Sequence, residues 1–179
     1  MVDRGRLEEI FGRSGCGDFK WIDPRDIVVA RWVRMKCRFG CDDFGRSMSC
    51  PPHTPPVEEC QRFFDEYTSA VLFHFTGRFD HAEDRHPWAR EISERLLGIE
   101  REVFLAGHHK AFVMTIDECS RCPDCVEKPQ DCPHPEAVRP NPEALAVDLF
   151  ATVRAHGYPI EVLTDYSQAM NRYALLMIE

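Results

Sequence analysis

The sequence predicts an α/β domain, with α+β as the alternative: residues 1–179 form one domain built on a single small mixed sheet with a β-α-β unit, flanked by helices. Three observations point there. Two short apolar runs, Ala70-Val-Leu-Phe-His-Phe-Thr76 and Lys110-Ala-Phe-Val-Met-Thr-Ile116, are rich in β-branched and aromatic residues and bracket a long stretch of helical period. A chain of 179 residues can bury one core without covalent staples. Prolines and Gly157 mark turns, but no linker, repeat or low-complexity stretch divides the chain.

The elements follow in order. Residues 4–11 place Leu7, Ile10 and Phe11 on one side of a short helix, with Gly12 behind it. Ser14-Gly15-Cys16-Gly17 reads as a turn and residues 19–22 as a strand before Asp23-Pro24. Residues 27–36 fit either period, and the spacing of Ile27, Ala30, Arg31 and Arg34 favours a helix. Thr54 and Pro55 read as N-cap and first residue of a helix that buries Val57, Cys60, Phe64 and Tyr67, with Glu58 and Glu59 at its positive end. Cys60 on that face reads as a small hydrophobe, and Cys16, in its turn, is set aside as a ligand because it stands alone. Pro87 opens a long helix with Trp88, Ile92, Leu96, Ile99 and Val103 on one stripe and Gly107 at its end. Asn141 and Pro142 start a further helix carrying Leu145, Leu149 and Val153, and residues 158–164 and 173–178 read as two more strands. The two apolar runs with a helix between them predict parallel strands joined by a right-handed crossover.

Charge and composition exclude some roles. A formal net charge of −8 argues against a nucleic-acid partner, since neutralising phosphates takes a basic surface. No apolar run approaches the length of a membrane span, and the opening Met1-Val-Asp-Arg-Gly-Arg lacks the apolar core of a secretory signal, so a soluble cytoplasmic protein with no membrane partner is expected. In that reducing setting nine cysteines point to metal or catalytic use rather than disulfides.

Seven of them fall in two groups. Cys119-Ser-Arg-Cys122-Pro-Asp-Cys125 and the later Cys132-Pro133-His134-Pro135 form the ligand run of a cubane iron–sulfur cluster, in which one short loop wraps three corners. The earlier group, Cys37-Arg-Phe-Gly-Cys41 followed by Cys50-Pro51-Pro52-His53, falls within a loop that has no apolar periodicity of its own, so a bound metal would supply its order. A helix and a strand of the predicted lengths each span roughly 20 Å. Both cysteine loops are therefore expected at one edge of the sheet, faced by the helix N-termini near Pro55 and Pro142.

The combination Cys-x3-Cys-x8-Cys-Pro-Pro, then Cys-x2-Cys-x2-Cys-x6-Cys-x-His-Pro, then Arg139-Pro140 resembles the DUF2284 family of predicted metal-binding proteins over about residues 37–165. The resemblance implies seven metal-associated cysteines: Cys37, Cys41, Cys50, Cys119, Cys122, Cys125 and Cys132. It supplies no reaction. Seven thiolates partition as four plus three, giving one [4Fe-4S] cluster to residues 119–132 and a second to the earlier group, or an exchanged arrangement in which the cysteine before proline ligates the other cluster. Zinc in a structural or interaction site is the alternative, although three cysteines within seven residues suit three corners of a cube better than one tetrahedron.

Two functional classes follow. Saturated clusters would make the protein an electron carrier working with a redox partner protein. A three-cysteine cluster with an open iron would act as a Lewis acid on a small-molecule substrate. His53, His134 and Arg139 are the nearest polar candidates for contact with such a substrate or for support of the ligands, and no phosphate loop, Ser-His-Asp order or Rossmann fingerprint is present.

Overall fold

The computed structural model describes every residue except Met1, Pro123 and Tyr166, and every described side chain except those of Ala82 and Pro129. In chain order the main elements are α1 (Arg4–Arg13), β1 (Phe19–Ile22), α2 (Arg31–Gly40), α3 (Val57–Asp65), β2 (Ala70–Gly77), α4 (Arg85–Leu105), β3 (Phe112–Met114), α5 (Leu149–Ala155) and β4 (Met170–Met177).

The four strands form one sheet in the order β1-β2-β4-β3, and every pairing is antiparallel. The mixed sheet expected from the sequence is corrected in this detail. β2 and β3 do run parallel to each other, because each pairs antiparallel with β4, but β4 lies between them. The reason is burial. Tyr173, Leu175 and Met177 alternate with Ala174 and Leu176 along β4, giving it two apolar faces suited to a central position, whereas β3 supplies only three residues.

One apolar cluster joins α1 and α4 to Val71, Phe73, Val113, Ala174 and Leu176. A second joins α3 and α5 to Ala70, Leu72, Met114, Tyr173, Leu175 and Met177 on the opposite face. Helices thus cover both sides of the sheet. That explains why residues 70–73 of β2 and 173–177 of β4 are continuously apolar, when antiparallel strands with one wet face would alternate.

Three further expectations differ from the structure. Residues 158–164 are not a strand; their carbonyls are taken by side chains instead, with Tyr173 Oη donating to Pro159 O and Arg154 Nη2 to Ile160 O at 3.0 Å. The helix expected from Asn141 is broken in two. Asn141 Oδ1 accepts from Ala144 N–H at 2.8 Å and caps only a 3-10 turn (Glu143–Leu145), then Ala146 turns left-handed at φ 61°. The interruption lets the chain pair with the segment before α2: Ala30 N–H donates to Ala146 O at 2.8 Å and Asp148 N–H to Val28 O at 2.7 Å. Asp148 then caps α5 through Ala151 N–H at 2.9 Å. Finally, α3 begins at Val57 after Pro56, and Thr54 spends its hydroxyl on Ala144 O at 2.9 Å rather than capping the helix.

Candidate metal centre

Both cysteine loops leave the fold on the same side. Cys37, expected in the loop, instead sits in the last turn of α2, which continues to Gly40, and Cys41 lies just past its end. The chain then folds back on itself: Gly45, at φ 77°, donates its N–H to Pro51 O at 2.8 Å, and Cys50 N–H donates to Ser47 O at 3.1 Å. The second loop leaves β3 and returns beside its own start, where Thr115 N–H donates to Pro140 O at 3.0 Å. A direct bond joins the two loops: Cys119 N–H donates to Ser49 Oγ at 3.0 Å, while Ser49 and Ser47 share a hydroxyl bond of 3.0 Å. The juxtaposition expected from element order is therefore present.

Cys119, Cys122, Cys125 and Cys132 line one hollow, together with Arg121, His134 and, from the first loop, Met48. Cys119, Cys122 and Cys125 also border an adjoining hollow whose other wall is Asp43, Gly45, Arg46 and Ser47. Cys50 is buried behind Ser47 and Ser49. Cys37 and Cys41 lie close to each other but do not line the hollow of the second group. Among the described residues no three His, Cys, Asp or Glu side chains come close enough together to hold a metal ion. Pro123, between Cys122 and Cys125, lies outside the described residues.

The electrostatics follow from burial and from nearby carboxylates. Burial pushes the Cys50 thiol up to about 12, the charges of Glu118 and Asp43 add to this, and the serine hydroxyls partly oppose it. Burial and then Cys41 raise Cys37. Burial, with Asp117 beside it, lifts Glu118 to about 7, and burial likewise raises Glu143, whose charge acts on Cys37. Such a surrounding favours the protonated form of the Cys37 and Cys50 thiols, and ligation of a cation there would release their protons. Soft sulfur donors of this kind suit an iron–sulfur cluster or zinc.

Arg139 has a different place from the one its position in the motif suggests. Its Nε and Nη2 donate to Glu100 of α4 at 2.7–3.0 Å, and Nη1 donates to Val138 O at 2.8 Å. Glu100 in turn accepts Val113 N–H at 2.8 Å, satisfying an edge donor of β3. Arg139 is thus an anchor for the returning loop. His53 and His134 are exposed. Cys60 belongs to one apolar cluster, as its helix face suggested, and donates to Pro55 O at 3.5 Å; Cys16, read as a turn residue, proves buried in the other. The serines were the residues missed; Ser47 and Ser49 immediately before the Cys50-Pro51 pair are the signal that could have found them.

The sequence model of a family described as predicted metal-binding proteins matches residues 20–178. The chain belongs to the DUF2284 family. The match takes in both cysteine loops and every strand except the first residue of β1. No curated protein and no solved structure matches the chain. Among the described residues no helix is long and apolar enough to cross a membrane.

Proposed function

We propose that this DUF2284 protein carries [4Fe-4S] chemistry, with Cys119, Cys122, Cys125 and Cys132 as one ligand set and Cys37, Cys41 and Cys50 as the ligands of a second centre. The observation that carries the reading is the single hollow lined by all four thiols of the second loop. A bound cluster would supply one-electron redox chemistry, its potential tuned by burial and by hydrogen bonds near sulfur. The chain's own contribution is to turn the four thiols of the second loop toward one hollow, to anchor the returning loop through Arg139 and Glu100, and to bring Ser49 against Cys119. That last contact would set the two centres beside each other.

A second reading, an open iron acting on a small molecule, is favoured by one cavity. A space of about 360 Å³ lined by Phe63, Phe112, Leu145 and Pro140, with His53 at its edge, shares Met48 and Val138 with the thiol-lined hollow. The two readings separate on one test. Cys125→Ser and Cys50→Ser are prepared anaerobically, and iron, acid-labile sulfide and EPR of the reduced protein are compared with wild type. Loss of a cluster signal in either supports ligation, and full retention in both refutes it. A shift of the wild-type EPR signal on adding a small thiol favours the open iron.

A further inference from the structure

We propose that the outer face of α2 is the docking surface for a soluble, acidic partner protein, one whose contact patch has an apolar centre and a carboxylate rim. The inference rests on the electron-carrier reading above for the partner's role, but its geometry comes from α2 alone. Val33 is buried and Cys37 half-buried on the inner side of the helix. Trp32, Met35 and Phe39 recur at three and four residues on the outer side and are 49%, 54% and 74% exposed. Three large apolar side chains on one stripe form a patch of the kind that marks an interaction surface.

The charges on the same helix define what can cover it. Arg31, Arg34, Lys36 and Arg38 give α2 four positive charges and no negative one, in a chain whose formal net charge is −8. Arg34 turns inward, donating to Pro55 O and Ala144 O at 3.0 Å, and Arg31 pairs with Glu58 at 2.8 Å. Lys36 and Arg38 remain on the exposed surface, and the Arg38 guanidinium lies 5.4 Å over the Phe39 ring, so cation and apolar contact share one patch. A partner with carboxylates around an apolar centre complements both features.

Two other occupants fit less well. A two-fold dimer through this face would set the basic residues of one α2 against those of the other. An anionic membrane would attract the helix but repel the rest of an acidic chain. Position favours a protein that must come near the metal loops: Cys37 is in the last turn of α2 and Cys41 follows its end. Docking there would bring a one-electron carrier close to the cysteine loops; with a cluster bound, the partner's reduced group would lose one electron and the oxidised cluster would gain it.

The test titrates anaerobically prepared holoprotein with a strongly acidic flavodoxin as probe, by calorimetry at low and high ionic strength. Trp32→Ser/Phe39→Ser and Lys36→Glu/Arg38→Glu are compared with wild type; all four side chains are exposed, so both variants should fold. Wild type should bind and weaken about tenfold or more on raising salt, and each double variant should lose at least about tenfold. Equal affinity in all three proteins, or no binding by wild type, overturns the proposal. So does a wild-type dimer that the same substitutions dissociate in sedimentation, or binding to phosphatidylserine vesicles in place of flavodoxin. Iron and sulfide counts on the same samples keep the two readings apart: normal counts with no docking sink this surface alone, whereas absent iron with intact docking sinks the metal assignment alone.

Discussion

Replacing Arg139 by methionine separates an anchor from a substrate contact. Three Arg139 to Glu100 distances of 2.7–3.0 Å and two further bonds to the Glu136 and Val138 carbonyls hold the guanidinium in place. The side chains are 23% and 9% exposed, so Arg139→Met leaves a nearly buried carboxylate with one N–H partner, that of Val113. Removing one member of a buried ion pair destabilises by ~3–5 kcal/mol, and the partial exposure of Arg139 puts the expected loss near the lower end, about 3 kcal/mol. Urea denaturation followed by circular dichroism measures it, with Glu100→Gln and the double variant completing a cycle. The double variant should be markedly less destabilised than the two single losses added together, because it leaves no abandoned charge. A loss under about 1 kcal/mol for Arg139→Met, or strict additivity, would refute the anchoring role.

Three further outcomes are expected. Cys16→Ala and Cys60→Ala should each lower stability by about 1 kcal/mol and leave iron content unchanged, since both thiols are core atoms; iron loss in either would make it a ligand. The Asp18 side chain is 58% exposed; its slight desolvation would raise the carboxyl, but hydrogen bonds from His74 and Tyr158 hold it below its ordinary value. A carboxylate depressed in the folded state stabilises above the unfolded pKa and loses that contribution as pH falls through the folded one. The stability gap between wild type and Asp18→Asn should therefore narrow below about pH 4, and a gap independent of pH would contradict the assignment. Chelation of the metal should open the two loops to trypsin at Arg46 and Arg121, while cleavage at equal rates with and without metal would show that the metal does not order them.

How much of this was legible in the sequence depended on whether the signal was local. The stripes Leu7-Ile10-Phe11 and Ile92-Leu96-Ile99-Val103 repeat within a few residues and are buried as read. The placement of β4 between β2 and β3 depends on which strand best tolerates two buried faces, a property of the whole sheet that no window contains. The break at Ala146 was hidden because its cause, pairing with residues 28–30, lies more than a hundred positions away. At the centre, the spacing of Cys119, Cys122, Cys125 and Cys132 identified the thiols that share a hollow. It could not show that the motif's arginine is engaged by Glu100, because Arg139 next to Pro140 carries no mark of its partner. Nor could it show that Ser49 links the loops, although element order did place both at one sheet edge.

Anaerobic purification with counting of iron, sulfide and zinc, joined to EPR of the reduced protein, tests the metal assignment most directly. Two cubanes give about eight irons with matching sulfide, and a single one in the hollow of the second loop gives about four. Stoichiometric zinc without sulfide, in protein that never met air, would contradict the iron–sulfur reading.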